Sequence, residues 1–188
     1  DWEIWLGPKE EILYISPSCR RITGYEPQDF ISDPSLLVHI AHPEDRPALE
    51  EHCRTASRAT ECQTIEFRIV TKDKRVRWLN HVCQPVHGTD GQALGRRASF
   101  RDITAKHEAE QELRKREAIL EAIGFAAGQF LQEERWEDTI EKVLERFGAA
   151  SGVSRITIFQ NLLRQSGEYF MQARFAWSAP EMRGTIDT

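Results

Sequence analysis

Six histidines and four cysteines are the residues of this chain best suited to metal or nucleophilic chemistry. The cysteines stand at 19, 53, 62 and 83, and none forms Cys-x-x-Cys. A structural zinc needs closely spaced pairs of soft ligands, so these read as free thiols of a reducing compartment. His39-x-x-His42 could place two imidazoles on one side of a turn, but Pro43 follows and no third ligand stands nearby, so no metal is expected. The carboxylates come in adjacent pairs: Glu10-Glu11, Glu44-Asp45, Glu50-Glu51 and Glu133-Glu134. Neighbours in sequence point apart on a helix or strand, so helix dipole and surface charge explain them better than general acid–base work. There is no phosphate-cradling Gly-x-x-x-x-Gly-Lys-Ser/Thr loop and no Gly-x-Ser-x-Gly elbow. Ser16, a candidate helix cap, has no base close by. No catalytic constellation is present, and no enzymatic activity is expected of this segment.

The elements that carry these residues are those of an ordinary globular chain. Of 188 residues, 40% are hydrophobic and 29% charged, enough for one large domain or two small ones with a real core. The net charge of −5 argues against a dedicated nucleic-acid binder. The apolar run 36–41 is broken by His39 and falls far short of the ~20 residues of a membrane span. Asp1 and the arbitrary-looking end at Thr185 to Thr188 suggest a piece of a longer protein, whose parent could still be membrane-tethered.

Two short strands, Trp2 to Leu6 and Ile12 to Ile15, flank a Gly7-Pro8 turn and predict a hairpin. Ser16-Pro17 predicts an N-cap with proline at N1, and Gly24 the left-handed residue past that helix. Glu26 to Phe30 opens another short helix. His42-Pro43-Glu44-Asp45 opens a longer one reaching about Ser57, with Pro47 near its start, and His42 reads as part of its cap rather than as a ligand. The period then becomes two: Ile65, Phe67 and Ile69 alternate with Glu66 and Arg68. Val76 to Val86 and Ala93 to Ile103 are further strands joined through Asp90-Gly91. Five strands, with helices inserted after the second, make an α+β domain built on an antiparallel sheet.

From Thr104 the pattern is helical. Ala109, Leu113, Arg116, Leu120, Ile123, Ala127 and Phe130 step by four and three in alternation, a coiled-coil seam with one charged interruption. The same spacing also suits an amphipathic helix packed inside one subunit, and the sequence leaves both open. Trp136 to Ala150 predicts another helix, and 153–160 and 169–177 two strands. That unit reads as truncated, with an apolar strand edge that seeks a partner.

The run Ile12-Leu13-Tyr14-Ile15-Ser16-Pro17-Ser18 with Ile22-Thr23-Gly24-Tyr25, then His42-Pro43-Glu44-Asp45-Arg46, Arg75-x-Arg77-Trp78-Leu79 and the closing Asp102-Ile103-Thr104, resembles a PAS sensory domain and its C-terminal half. The resemblance implies a PAS domain over residues 1–103 and a signalling helix over 104–117. Residues 118–188 resemble, through Phe125, Trp136 and Ser151-Gly152-Val153, the first part of a GAF domain. A cytoplasmic sensory input fragment of a bacterial histidine kinase is then expected, dimerising with itself and relaying a signal to an output domain of the same chain. A small-ligand chemosensor, or the input of a cyclic-dinucleotide synthase or phosphodiesterase, are the alternatives. No nucleic acid or direct membrane contact is expected.

The photoactive flavin relatives carry Gly-x-Asn-Cys-Arg-Phe-Leu-Gln, which Cys19-Arg20-Arg21 does not reproduce. Haem relatives use a histidine on or just before the long helix. His52 is there, but Glu50, Glu51 and Cys53 around it look solvated, so neither haem nor flavin is expected. In such relatives the leucine after the tryptophan points inward. That would line a cavity with Ile65, Phe67, Ile69, Leu79, His81, Cys83 and Phe100. His81 would there meet either a ligand carboxylate or, the favoured role, a core backbone group. Trp78 would face outward, onto a flanking helix or a partner. Ala109, Leu113, Leu120 and Ile123 would form the dimer seam, and Asp102, Ile103 and Thr104 the relay motif.

Overall fold

The computed structural model describes residues 1–56, 60–132 and 135–182. The chain divides into two compact units, residues 1–108 and residues 109 onward. The expected helix end at Ser57, the Glu133-Glu134 pair and the last residues from 183 lie outside the described residues.

The first unit holds β1 (Trp2–Leu6), β2 (Ile12–Ile15), α1 (Ser18–Thr23), α2 (Pro27–Ser32), α3 (Leu36–Ile40), α4 (Arg46–Ala56), β3 (Gln63–Val70), β4 (Val76–His87) and β5 (Ala93–Asp102). Its five strands form one antiparallel sheet in the order β2-β1-β5-β4-β3. The helices inserted between β2 and β3 cover one face, the α+β arrangement expected from the pattern. Trp2, Phe30, Phe67, Phe100, Leu49, Ile69, Leu79, Thr23 and Cys19 are its largest fully buried side chains.

Local chemistry explains the helix ends and corrects two expectations. Gly24 closes α1 at φ 82°, a left-handed conformation that costs little without a Cβ. Ser16 does not cap that helix. Its hydroxyl accepts the Glu3 amide at 2.9 Å and tethers the helix start to β1, while Pro17 takes the cap position without a side-chain bond. Glu26 and Asp29 form a reciprocal capping box on α2. The His42-Pro43-Glu44-Asp45 stretch is a turn, and α4 starts only at Arg46, so Pro47 lies in its first turn. The run 36–41, unassigned from sequence, forms α3, ending in a bridge from Ala41 to Ile69.

α5 (Thr104–Gln132) is one helix, so the expected linker over 104–117 and the segment from 118 are continuous. The second unit adds a 3-10 turn at Trp136–Asp138, α6 (Ile140–Ser151), and the hairpin β6 (Arg155–Leu163) and β7 (Tyr169–Ser178). The helix expected from Trp136 thus begins at Ile140. Among the described residues, β6 and β7 pair only with each other. Ala126, Ile140, Val143 and Leu144 form a small core with Phe125, Phe147, Ile156, Ile158, Phe175 and Trp177 packed against it. The Trp177 ring occupies the space where a Cβ on Gly148 would stand.

Candidate functional site: a polar-ended cavity between sheet and helices

Strand alternation sends Leu79, His81 and Cys83 of β4, and Arg96, Ala98 and Phe100 of β5, to the helix-covered face. The register lines these residues up in rows. Trp2, Phe100, His81 and Ile65 form one row, and Ile4, Ala98 and Cys83 the next. Arg96 pairs with Leu6 and Pro85.

A cavity of about 240 Å³ opens above these rows. Ile4, Leu6 and Ile12 line it from the hairpin, Phe30 and Leu37 from the short helices, and His52, Cys53 and Ala56 from α4. His81, Cys83, Arg96, Ala98 and Phe100 form its floor. Of the seven side chains expected there, His81, Cys83 and Phe100 reach it. Phe67, Ile69 and Leu79 are buried in the adjoining core, with Ile65 packed against it. They sit on or beside β3, whose inner face lies in the same cluster as Leu49 and Ala41.

The cavity is polar at one end. His81 stacks on Phe100 with centroids 4.3 Å apart, and Phe100 stacks on Trp2 at the same separation. The Nδ1 of His81 lies 3.2 Å from the Ser99 carbonyl oxygen, so the neutral ring donates there. Burial, with the His52 and Arg96 charges assisting against that bond, pushes His81 down to about 4. His52 meets the His81 ring edge-on at 5.0 Å. Burial and then the Arg96 charge lower its pKa, and its Nε2 is buried without a hydrogen-bond partner among the described residues. Arg96, 8% exposed, donates from Nε to the Cys83 sulfur at 3.1 Å.

Arg96 is the functional candidate that reading the sequence missed, and His52 the one it set aside. The acidic neighbours of His52 predict a solvated side chain, and the structure buries it. It is 9% exposed because Leu49, His52 and Ala56 share the inner face of α4. Arg96 has the strand parity of Ala98 and Phe100, which already pointed it inward.

At the exit of the sheet, Asp102 accepts the Thr104 amide at 3.0 Å, the Thr104 hydroxyl at 2.6 Å and Arg77 at 2.8 Å. Burial works to raise its pKa, but these bonds together hold it below the ordinary value. The Thr104 hydroxyl also accepts the Trp78 amide at 3.0 Å, and the Ile103 amide donates to the Trp78 carbonyl at 2.9 Å. Trp78 lies on the outer face of β4, half-buried, its ring stacked on His107 at 4.2 Å. The expected relay residues thus fasten the start of α5 to β4. Farther along α5, Ala109, Leu113, Leu120 and Ile123 are exposed, and Ala122 and Ala126 are its buried residues.

The other histidine candidates have local partners. His39 Nδ1 faces Asp33 at 3.3 Å, and His42 Nδ1 faces Glu44. His42, Glu44 and Asp45 could together approach one metal ion, but the Arg68 guanidinium sits on both carboxylates at 2.6–2.8 Å. Cys19 and Cys83 are buried thiols, Cys53 and Cys62 exposed ones, and all four are free.

Among the described residues, no helix is long and apolar enough to cross a membrane. Over 103 residues the chain is 33% identical to the methanogenesis regulatory histidine kinase FilI of Methanothrix harundinacea. Those residues are 55% of this chain and only 12% of that kinase. Among solved structures, it is similar to the PAS domain of a Colwellia psychrerythraea protein, at 22% identity and a TM-score of 0.45, covering 55% of this chain and 86% of that one. It is also similar to the N-terminal domain of a diguanylate cyclase with PAS/PAC sensor from Marinobacter aquaeolei, at 19% identity and 0.48, covering 56% and 95%. A sensory box histidine kinase/response regulator from Burkholderia thailandensis gives 23% and 0.45, covering 60% and 82%. Residues 12–97 match the family described as PAS fold, and the five-stranded sheet with its inserted helices is the PAS fold.

Proposed function

We propose that this chain is the sensory input segment of a signal-transduction histidine kinase, and that two copies associate along α5. The observation that carries the reading is the seam. Leu113, Leu120, Ile123 and Phe130 are 57%, 66%, 48% and 42% exposed, although they recur at heptad spacing. The helix buries other residues, Ala122 and Ala126, within its own subunit. An apolar heptad stripe left uncovered suits a second copy of the same stripe. The Asp102-Ile103-Thr104 latch supports a relay role, because it joins the sheet floor to the first turn of that helix. Identity to a regulatory histidine kinase supports that kind of output. The order helix, helix, hairpin from α5 to β7 supports reading residues 118–188 as the opening of a GAF-like unit.

Sedimentation velocity at tens of micromolar tests the association. The chain should run as a dimer, and Leu113→Lys/Leu120→Lys as a folded monomer of unchanged circular dichroism. A monomeric parent chain would overturn the proposal.

The cavity favours a second reading that is compatible with the first: a chemosensor whose small ligand occupies the space between sheet and helices. The buried Nε2 of His52, with no hydrogen-bond partner among the described residues, supports it. Native mass spectrometry of freshly purified chain tests it directly through any retained mass.

A further inference from the structure

We propose that the cavity of the first unit takes a small organic monoanion, a carboxylate with an apolar tail, whose head meets Arg96 and His52 and whose tail lies among Ile4, Phe30, Leu37 and Phe100. The inference rests on the chemosensor reading and adds the class of ligand.

Three observations converge. The first is charge. Arg96 is a permanent cation in the cavity floor, 8% exposed, on the inward parity of β5. A guanidinium fits a carboxylate with two parallel donors, and the bond gains strength away from water. Among the described residues the acidic side chain on the lining is Glu10, at the exposed turn between β1 and β2, where solvent screens its charge. The second is a donor. Among the described residues His52 Nε2, buried in the wall, has no hydrogen-bond partner, and in its Nε2–H tautomer it offers a second donor to an anion. A cation is the wrong occupant: Arg96 repels it, and the Cys83 sulfur is already the acceptor of the Arg96 Nε–H bond.

The third is shape. Away from the polar end the wall is apolar, with Ile4, Leu6, Ile12, Phe30, Leu37 and Phe100 around about 240 Å³. That space suits a tail of a few carbons or one ring. The wall therefore presents a polar head site and an apolar body in one enclosure, the pattern of a small-molecule site.

The test uses matched acid and amide pairs on the chain as it stands: sodium hexanoate against hexanamide, and sodium benzoate against benzamide. Thermal unfolding and calorimetry read the binding. A charge-assisted contact predicts that the acid binds about 10- to 100-fold more tightly than its amide. Binding the native state alone raises the melting temperature with acid concentration. Arg96→Gln should bring acid and amide to equal affinity. Because that variant removes a buried charge and could fail to fold, His52→Phe is the second probe. It keeps an aromatic ring beside His81 and should weaken the acid several-fold while leaving the amide unchanged.

Amides that bind as well as the acids, or a neutral compound retained after purification, would overturn the anionic class and leave the chemosensor reading standing. Both readings fall together if neither acid nor amide shifts the transition, fresh protein carries no added mass, and the cavity-filling Ala98→Leu variant is simply more stable.

Discussion

In the first unit, Trp2, Phe30, Phe67 and Phe100 are each 2% exposed or less; in the second, Phe130, Phe159 and Tyr169 are 42%, 56% and 77% exposed. Both units have ample aromatic residues. What differs is the covering layer. Five strands under four short helices enclose an interior, whereas a two-stranded hairpin against helices covers one side only. Small units bury a smaller share of their surface, and the apolar side chains left over mark contact surfaces. The comparison teaches that one chain can pair an enclosed interior with a unit that leaves large apolar side chains exposed.

The comparison breaks most easily at the core. Phe67→Ala should cost the first unit about 3–5 kcal/mol, a large share of a domain's typical stability. Urea unfolding followed by tryptophan emission should show the first unit's transition falling while the second's, reported by Trp136 and Trp177, stays in place. A single merged transition that moves as one would dissolve the two-unit description.

Acid sharpens it next. All six histidines lie in the first unit. His81 is held at about 4, below its ordinary 6.5, so between those values the unfolded chain binds more protons. Its contribution is fully present above pH 6.5 and is lost as pH falls towards 4. At 1.36 kcal/mol per pKa unit the loss is about 3 kcal/mol, and His52, lowered in the same direction, adds to it. His81→Phe, which can keep the stack on Phe100, should flatten this slope. An equal slope in the variant would remove His81 from the account.

The smallest expected effect concerns the latch. Asp102→Asn weakens the bonds from Thr104 and Arg77 and should cost about 1–2 kcal/mol. Its signature is local: the His107 amide, which donates to the Ile103 carbonyl, should exchange faster. Unchanged exchange there would mean that the backbone bonds and ring stack of Trp78 hold the first turn of α5 without Asp102.

The strands of the sheet were legible because period two is written in residue type: Ile65, Phe67 and Ile69 against Glu66 and Arg68. The left-handed end at Gly24 was legible for the same reason, since glycine is the residue that conformation favours. The cavity was legible only in part. Parity put His81, Cys83 and Phe100 on the inner face, but parity does not say where the helices leave space. That depends on how Leu37 and Ala56 sit across from the sheet, a tertiary matter. His52 was hidden by its acidic neighbours, although its i, i+3, i+7 spacing with Leu49 and Ala56 carried the signal. Arg96 was hidden by its type, because a cation in a strand is read as outward. α3 was missed because five residues are too few to show a helical period.

Gly148 sets two scales of preference against each other. An alanine there would strengthen α6 as an isolated helix by about 1 kcal/mol. In the folded unit the same methyl would collide with the Trp177 ring. A residue that weakens the helix alone is therefore the one the assembled unit requires. A peptide of α6 and the whole unit should answer Gly148→Ala with opposite signs, the mark of a position whose identity is dictated by a neighbour and not by its own element.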